Sequence, residues 1–281
     1  MSKTYELKMK KNLIFITGAG RGFGRSCALV AGKFFENESL LIICGRNERK
    51  LLETKLLVET MNALIRVEVF KLDLETVSSD EIKSILDKIL KLSETQFECF
   101  VIIHNAGNVG DLSKCSYEFM ERKVIESFTN INMTGTVIVN NVLLKEISHS
   151  TEVRKANDKP LILLVNVSSL CAIQPFESMS MYCAMKAFRE MFFQCLAVEW
   201  EAKQRLPDLF AINYSPGPMD TEMMAYLIDN AASDELTSQM RILKENGKLI
   251  NPDNSAEKLF YNVLANYFNY KSGSRIDFYD L

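Results

Sequence analysis

The sequence predicts an α/β fold, in which a parallel sheet is covered by helices on both faces. Two observations carry this. Short, uniformly apolar runs alternate with longer helical patterns from end to end, and strands buried on both faces read as continuous apolar runs. The first of these runs, Asn12-Leu-Ile-Phe-Ile-Thr17, leads into Gly18-Ala-Gly-Arg-Gly22-Phe-Gly24 and then into a helical pattern. A strand, a glycine-rich turn and a helix N-terminus, in that order, form a phosphate cradle, because free backbone N–H groups point at the anion.

The elements follow in order. Strands are expected over Leu13–Thr17, Leu40–Cys44, Arg66–Leu72, Phe100–His104, Leu161–Val167, Phe210–Tyr214 and Arg275–Phe278. Helices are expected over Gly24–Phe35, Arg49–Thr60, Asp80–Leu92, Arg122–Ile147, Ser180–Ala202, Met219–Ile228 and Ser255–Tyr267. The result is a Rossmann-type, doubly wound fold with a seven-stranded parallel sheet. No linker or repeat interrupts it, so residues 1–281 read as a single domain. The polar stretch Ser148–Lys159 reads as a surface loop. Asp229–Asn254 reads as polar and irregular, part of a flap over the substrate at about residues 219–254.

Composition excludes several classes. An apolar fraction of 47% over 281 residues is ordinary for a globular protein. The net charge of −3, with no dense basic cluster, argues against nucleic acid. No run approaches the roughly 18 apolar residues of a membrane span, and the charged start lacks the apolar core of a secretory signal. The expected location is the cytoplasm. The seven cysteines include no Cys-x-x-Cys and read mostly as buried small hydrophobes. The two histidines, His104 and His149, argue against a metal site and a Ser-His-Asp hydrolase.

Chemistry concentrates in Tyr182-Cys-Ala-Met-Lys186, with Ser169 thirteen residues upstream. Positions i and i+4 share a helix face, so Tyr182 and Lys186 converge. A nearby ammonium is expected to lower the phenol pKa from its usual value of about 10. Ser169 is then placed to hold the carbonyl oxygen that takes the proton. Ser168 is its rival, and the spacing to Tyr182 selects Ser169. A Tyr-x-x-x-Lys pair alone also describes a solvated helix face. The glycine-rich turn gives it weight: Gly18 permits the tight turn, Gly22 lets backbone approach a pyrophosphate, and Gly24 lets helix and strand pack closely.

Cofactor choice is read after the second strand, which ends Cys44-Gly45-Arg46 with no acid to bind a ribose 2′-hydroxyl. Arg46, with Arg21 from the turn, would instead pair with a 2′-phosphate, which favours NADP(H). The helix after Tyr182 is apolar nearly all the way round, through Phe188, Met191, Phe192, Phe193, Leu196, Val198 and Trp200. Such a helix needs burial on every side, and a homodimer is one way to supply it. Packing by helix Arg122–Ile147 is the other.

Thr17-Gly-Ala-Gly-Arg-Gly-Phe-Gly24, Asn105-Ala-Gly107, Asn132, Ser169, Tyr182-x-x-x-Lys186 and Pro216-Gly217 together resemble the short-chain dehydrogenase/reductase family, over nearly the whole chain. Within it, Asn166–Phe176, Asn213–Thr221 and the tail Lys271–Asp280 resemble the sepiapterin reductase branch. The resemblance implies NADPH-dependent reduction of pterin side-chain ketones (sepiapterin and 6-pyruvoyl-tetrahydropterin) in tetrahydrobiopterin synthesis. It implies that Asp73 contacts the adenine, that Asn105, Ala106 and Gly107 let the backbone pass close to the cofactor, and that Lys186 binds the nicotinamide ribose. Gly20, Phe23, Leu74, Pro216, Gly217, Met219 and Thr221 complete the implied cofactor contacts. Asn132 would hold a water beside Lys186, or else be a helix residue satisfied by backbone. Asp73 reads almost as well as a loop cap. His104 and Met185 depart from the family pattern without removing a catalytic group.

Asp277 is the expected substrate anchor. A pterin offers its 2-amino group and N3–H as parallel donors, which a carboxylate accepts as a pair. The plain alternative is an exposed C-terminal acid, and Asp280 is its nearest rival. Two other readings stay open: a broad dicarbonyl reductase of the same fold, and a catalytically weak NADPH-sensing protein.

Overall fold

The structure is a computed structural model that describes residues 7–8, 10–35, 39–92, 96–151, 159–203 and 208–281. The apolar runs form seven strands: β1 (Asn12–Thr17), β2 (Ser39–Gly45), β3 (Ile65–Lys71), β4 (Cys99–His104), β5 (Leu161–Val167), β6 (Asp208–Ser215) and β7 (Arg275–Asp277). They pair in the order β3-β2-β1-β4-β5-β6-β7, and every pairing is parallel. The expected doubly wound sheet is therefore present. The chain winds outward from β1 to β3, then crosses back to β4. The crevice between β1 and β4 is the switch point, where this architecture binds ligands.

Alternation along β1 splits the core. Ile14 and Ile16 point into one layer, with Phe34 of α1 (Gly22–Phe34), Leu51 and Val58 of α2 (Glu48–Met61), and Phe260. Leu13 and Phe15 point into the other, with Ile82 of α3 (Ser79–Leu92), Val139, and Phe193 of α6 (Ser180–Glu201). Each layer removes side chains worth about 1.5–3 kcal/mol apiece from water.

Three expectations are corrected. The helix expected over Arg122–Ile147 is α4 (Arg122–Thr129), a π turn (Asn130–Thr134) and α5 (Gly135–Thr151). Its last turn takes in Ser148–Thr151, the start of the expected Ser148–Lys159 loop; residues 152–158 lie outside the described residues. The helix expected from Met219 starts at Glu222, as α7 (Glu222–Asn230). Thr221 caps it, accepting the Met224 N–H at 3.3 Å, while Met219 bridges to Ile250 as extended chain. The segment expected to be irregular contains α8 (Asp234–Glu245), whose first turn carries Asp234 and Glu235. Ser233 accepts the Leu236 N–H at 3.3 Å, and the two acids complement the positive end of the helix dipole. Among residues 219–254 the chain is thus mostly capped helix.

Candidate active site

The crevice between β1 and β4 is shaped by backbone. Gly18 and Gly22 have φ of +72° and +51°, a region that side chains rarely adopt. A methyl group on Gly24 would run into the Gly18 carbonyl and the Asn105 amide. Asn105 pins the turn: its side-chain N–H donates to the Thr17 carbonyl at 2.9 Å, and its backbone N–H donates to Thr17 Oγ1 at 3.1 Å. The Ala106 N–H shares that hydroxyl at 3.1 Å. Gly20 lies over Lys50, where a methyl group on the glycine would stand 3.2 Å from Lys50 Cβ. Phe23 is buried and stacks on Tyr214 at 6.0 Å, so only its backbone faces the turn. The Gly18 and Ala19 N–H groups are spent on the Cys44 carbonyl, and α1 begins at Gly22, so the N-terminus of α1, with glycine at Gly22 and Gly24, is the part that fits a pyrophosphate.

The charged residues divide. Arg46 is exposed at the end of β2 and has no ion pair among the described residues. Arg21 pairs with Glu222 of α7, and Lys50 reaches the same carboxylate at 3.0 Å. Lys50 first, then Arg21, holds the Glu222 carboxyl below its ordinary value. Sequence reasoning missed both Lys50 and Glu222. Thr221, beside them, lies near Gly22. Asp73 accepts the Glu75 N–H at 3.1 Å, the contact of a loop cap. Leu74 is buried, and its carbonyl lies where any side chain on Gly135 would stand. The Pro216 carbonyl accepts from Ser255 Oγ at 3.0 Å, and Gly217, at φ +77°, lies against Ile250.

Ser169, Tyr182 and Lys186 stand one strand further on. Ser169 follows β5 and caps a short turn, its Oγ accepting the Cys171 N–H at 3.2 Å. That bond uses a lone pair of the hydroxyl oxygen, whose proton is also within reach of the Cys171 sulfur. Ser168 is spent: its buried hydroxyl donates to Glu190 of α6. Tyr182 and Lys186 share the inner face of α6, with Lys186 Nζ 5.5 Å from the tyrosine ring centre. Lys186 is buried and donates to the Val167 carbonyl at 2.7 Å.

Burial dominates the electrostatics of this pair. Burial raises the Tyr182 pKa above the ordinary phenol value, Cys171 and Cys183 add to the rise, and Arg189 is the cation that opposes it. Burial first, and Arg189 second, push the Lys186 pKa well below the usual lysine value, so the ammonium is itself disfavoured there. Tyr182 is accordingly a protonated acid at neutral pH.

Arg189 was not foreseen. It is 1% exposed and its guanidinium donates to the carbonyls of His104 and Ala106, at 2.6 and 3.0 Å, and to Asn166 Oδ1 at 2.8 Å. It bolts α6 to the ends of β4 and β5. The charged pair Arg189-Glu190 inside an otherwise apolar helix was the available signal. Asn132, in the π turn, accepts the Asn108 N–H at 2.9 Å and donates to the Phe128 carbonyl at 3.0 Å. It also lies 2.9 Å from where a side chain on Gly107 would begin. His104 packs 5.4 Å from the Phe193 ring, and burial drives its pKa down to about 3. Cys183 is different from the other thiols: a hydrogen bond from Cys171 pulls its pKa down to about 7.

Asp277 ends β7, where its Oδ2 meets Arg275 at 3.2 Å and its Oδ1 accepts the Tyr279 N–H at 3.3 Å. Among the described residues, no group of three or more His, Cys, Asp or Glu is placed to hold a metal ion, and no helix is long and apolar enough to cross a membrane.

The profile of the short chain dehydrogenase family matches residues 12–232, which takes in the glycine turn, Ser169, Tyr182 and Lys186. The chain belongs to the short chain dehydrogenase family. It is an oxidoreductase of that family, and sepiapterin reductases are among its relatives. The rat sepiapterin reductase is 31% identical over 267 residues, covering 95% of each chain. That of Xenopus tropicalis is 33% identical, covering 95% of this chain and 96% of its own. A benzil reductase of Bacillus cereus is 29% identical, covering 88% of this chain and 91% of its own. Among solved structures, a short chain dehydrogenase from Shigella flexneri complexed with NADP superposes with a TM-score of 0.73 at 22% identity, covering 96% of this chain and 98% of that one. The fold is therefore that of the family.

Proposed function

We propose that this dehydrogenase reduces the side-chain ketones of pterins, sepiapterin and 6-pyruvoyl-tetrahydropterin, with NADPH, as a cytoplasmic homodimer serving tetrahydrobiopterin synthesis. One observation carries the pterin reading. A single guanidinium, that of Arg275, touches both the Ser169 carbonyl, at 3.0 Å, and Asp277, at 3.2 Å. A carboxylate able to accept paired donors thus stands beside the serine that would hold the ketone.

NADPH fits the residues present. Gly22 and Gly24, at the N-terminus of α1, would hold its pyrophosphate, and Asn105, Ala106 and Gly107 would line its path. Arg46 would meet its 2′-phosphate, joined by Arg21 once Glu222 yields. When bound it supplies a hydride for the ketone carbon. Ser169 donates its hydroxyl proton to the substrate oxygen and fixes it. Tyr182, kept protonated by burial, gives its proton to the developing alkoxide. Lys186, anchored on Val167, is positioned for the nicotinamide ribose. Asn132 holds the loop after β4 in place. Hydride plus proton convert ketone to alcohol, and Tyr182 regains its proton from solvent.

The relatives support this reading, because those named sepiapterin reductase match across 94–96% of this chain. The dimer reading rests on the outer face of α6, where Met191 and Val198 are 58% and 68% exposed. A diketone reductase is the second reading, favoured by the Bacillus benzil reductase relatives.

The test is NADPH oxidation with sepiapterin and, in parallel, with a simple α-diketone. Far better kcat/KM on sepiapterin is expected. Asp277→Ala should cost about a hundredfold on sepiapterin and under about tenfold on the diketone, since only the pterin leaves paired donors unmet. Equal losses on both would move the function to general carbonyl reduction.

A further inference from the structure

Three parts of the active site come from three elements: Ser169 from the loop after β5, Tyr182 from α6, and Asp277 from the end of β7. Arg275 is a side chain that touches all three elements, through Ser169, Glu190 and Asp277. It lies two residues before Asp277 on β7, so both side chains leave the same face of the strand. One guanidinium nitrogen donates to the Ser169 carbonyl at 3.0 Å and pairs with Glu190 of α6. The other reaches Asp277 at 3.2 Å. Glu190 in turn takes the Ser168 hydroxyl. The side chains of Arg275, Glu190 and Asp277 are only 17%, 6% and 23% exposed, so the contacts are shielded from water and from salt.

We propose that Arg275 is a positioning and specificity-determining residue, which sets the distance between the carboxylate that recognises the substrate's polar edge and the serine that holds its ketone. The proposal rests on the pterin reading for Asp277 but not for Ser169. A planar fork fixes both groups at once, which a lysine cannot do. It also offsets two acids with one cation, so that Asp277 keeps a defined orientation when the pocket loses water.

The test uses the full-length protein with Arg275→Gln and Arg275→Lys, alongside Asp277→Ala, with kcat and KM measured on sepiapterin and on an α-diketone. Arg275→Gln is expected to lower kcat/KM for sepiapterin about ten- to hundredfold, through both KM and kcat, as loss of a charge-assisted contact implies. On the diketone it should lower kcat about three- to tenfold with little change in KM, because only the Ser169 contact matters there. The Kd for NADPH should stay within about twofold, since the cradle is at the other end of the crevice. Arg275→Lys should recover part of kcat on both substrates but little of the sepiapterin KM.

Equal losses on both substrates, following a lower Tm and a weaker NADPH Kd, would make Arg275 merely structural and overturn the proposal. So would unchanged kinetics. If Asp277→Ala treats both substrates alike, the pterin reading fails by itself. Arg275 is then judged on the diketone kcat alone, which must fall if the residue positions Ser169.

Discussion

The two ends of the crevice are built from different materials. At the cofactor end, backbone does the shaping: positive-φ glycines, Asn105 pinning the turn to Thr17, and hardly any buried charge. At the substrate end, side chains do it, through buried Lys186, Arg189 and Glu190 and half-buried Arg275, set among carbonyls and carboxylates. A backbone cradle tolerates little change in volume but does not depend on charge balance. A buried polar network tolerates changes in volume but not the loss of a partner, because the remaining group stays desolvated. The first arrangement suits a ligand common to a whole family, and the second suits a substrate that differs between its members.

Four experiments would sharpen or break this contrast. The largest effect belongs to Tyr182→Phe, which deletes the acid: ketone reduction should slow about 10²- to 10⁴-fold in kcat, while NADPH binding, followed by fluorescence, stays nearly constant. Loss of NADPH binding in this variant would mean that the two ends are not separable. Next comes Gly24→Ala. Its methyl has no room between the Gly18 carbonyl and Asn105, and overpacking of this kind costs about 1–3 kcal/mol. A drop of at least about tenfold in NADPH affinity is expected, and unchanged affinity in calorimetry would show that the cradle yields.

The third concerns pH. Cys183 has a thiolate favoured by the Cys171 hydrogen bond, with a pKa of about 7. Its alkylation rate by iodoacetamide, followed by peptide mass, should rise through a midpoint near that value. In Cys171→Ala the donor is gone, so the midpoint should move up, towards the ordinary thiol value of about 8.5. An unmoved midpoint would show that the two thiols do not interact. The smallest effect is expected for Glu222→Gln. It frees Arg21 and Lys50 for the 2′-phosphate, and NADPH affinity should rise about two- to fivefold at low salt, fading as salt screens the exposed charges. A weaker Kd would assign Glu222 to holding the turn rather than competing for its cations.

The cofactor end was legible because its requirements are local. A strand followed by Gly18, Gly22 and Gly24 is readable from spacing, since each glycine answers to a turn or a close approach within a few residues. Strand positions followed from apolar runs for the same reason. The pairing of Tyr182 with Lys186 needed only the helix period. Even where the sequence misread residues 229–254, the missing signals, Ser233 before Asp234-Glu235, were local and available.

Only the tertiary structure decided the rest. Which serine is spent depended on Glu190, twenty-two residues away, taking the Ser168 hydroxyl. Arg21 reads as a phosphate ligand, yet its charge is shared with Glu222, across two hundred and one residues. Burial raises the Tyr182 pKa, because desolvation depends on everything packed around a group and not only on its neighbour in the helix. Sequence thus determined the sheet, the glycine cradle and the convergence of Tyr182 with Lys186, whose physical causes lie within a turn or a strand. The fold alone determined their burial and partners, since the environment of a dry interior is set by contacts that no local spacing encodes.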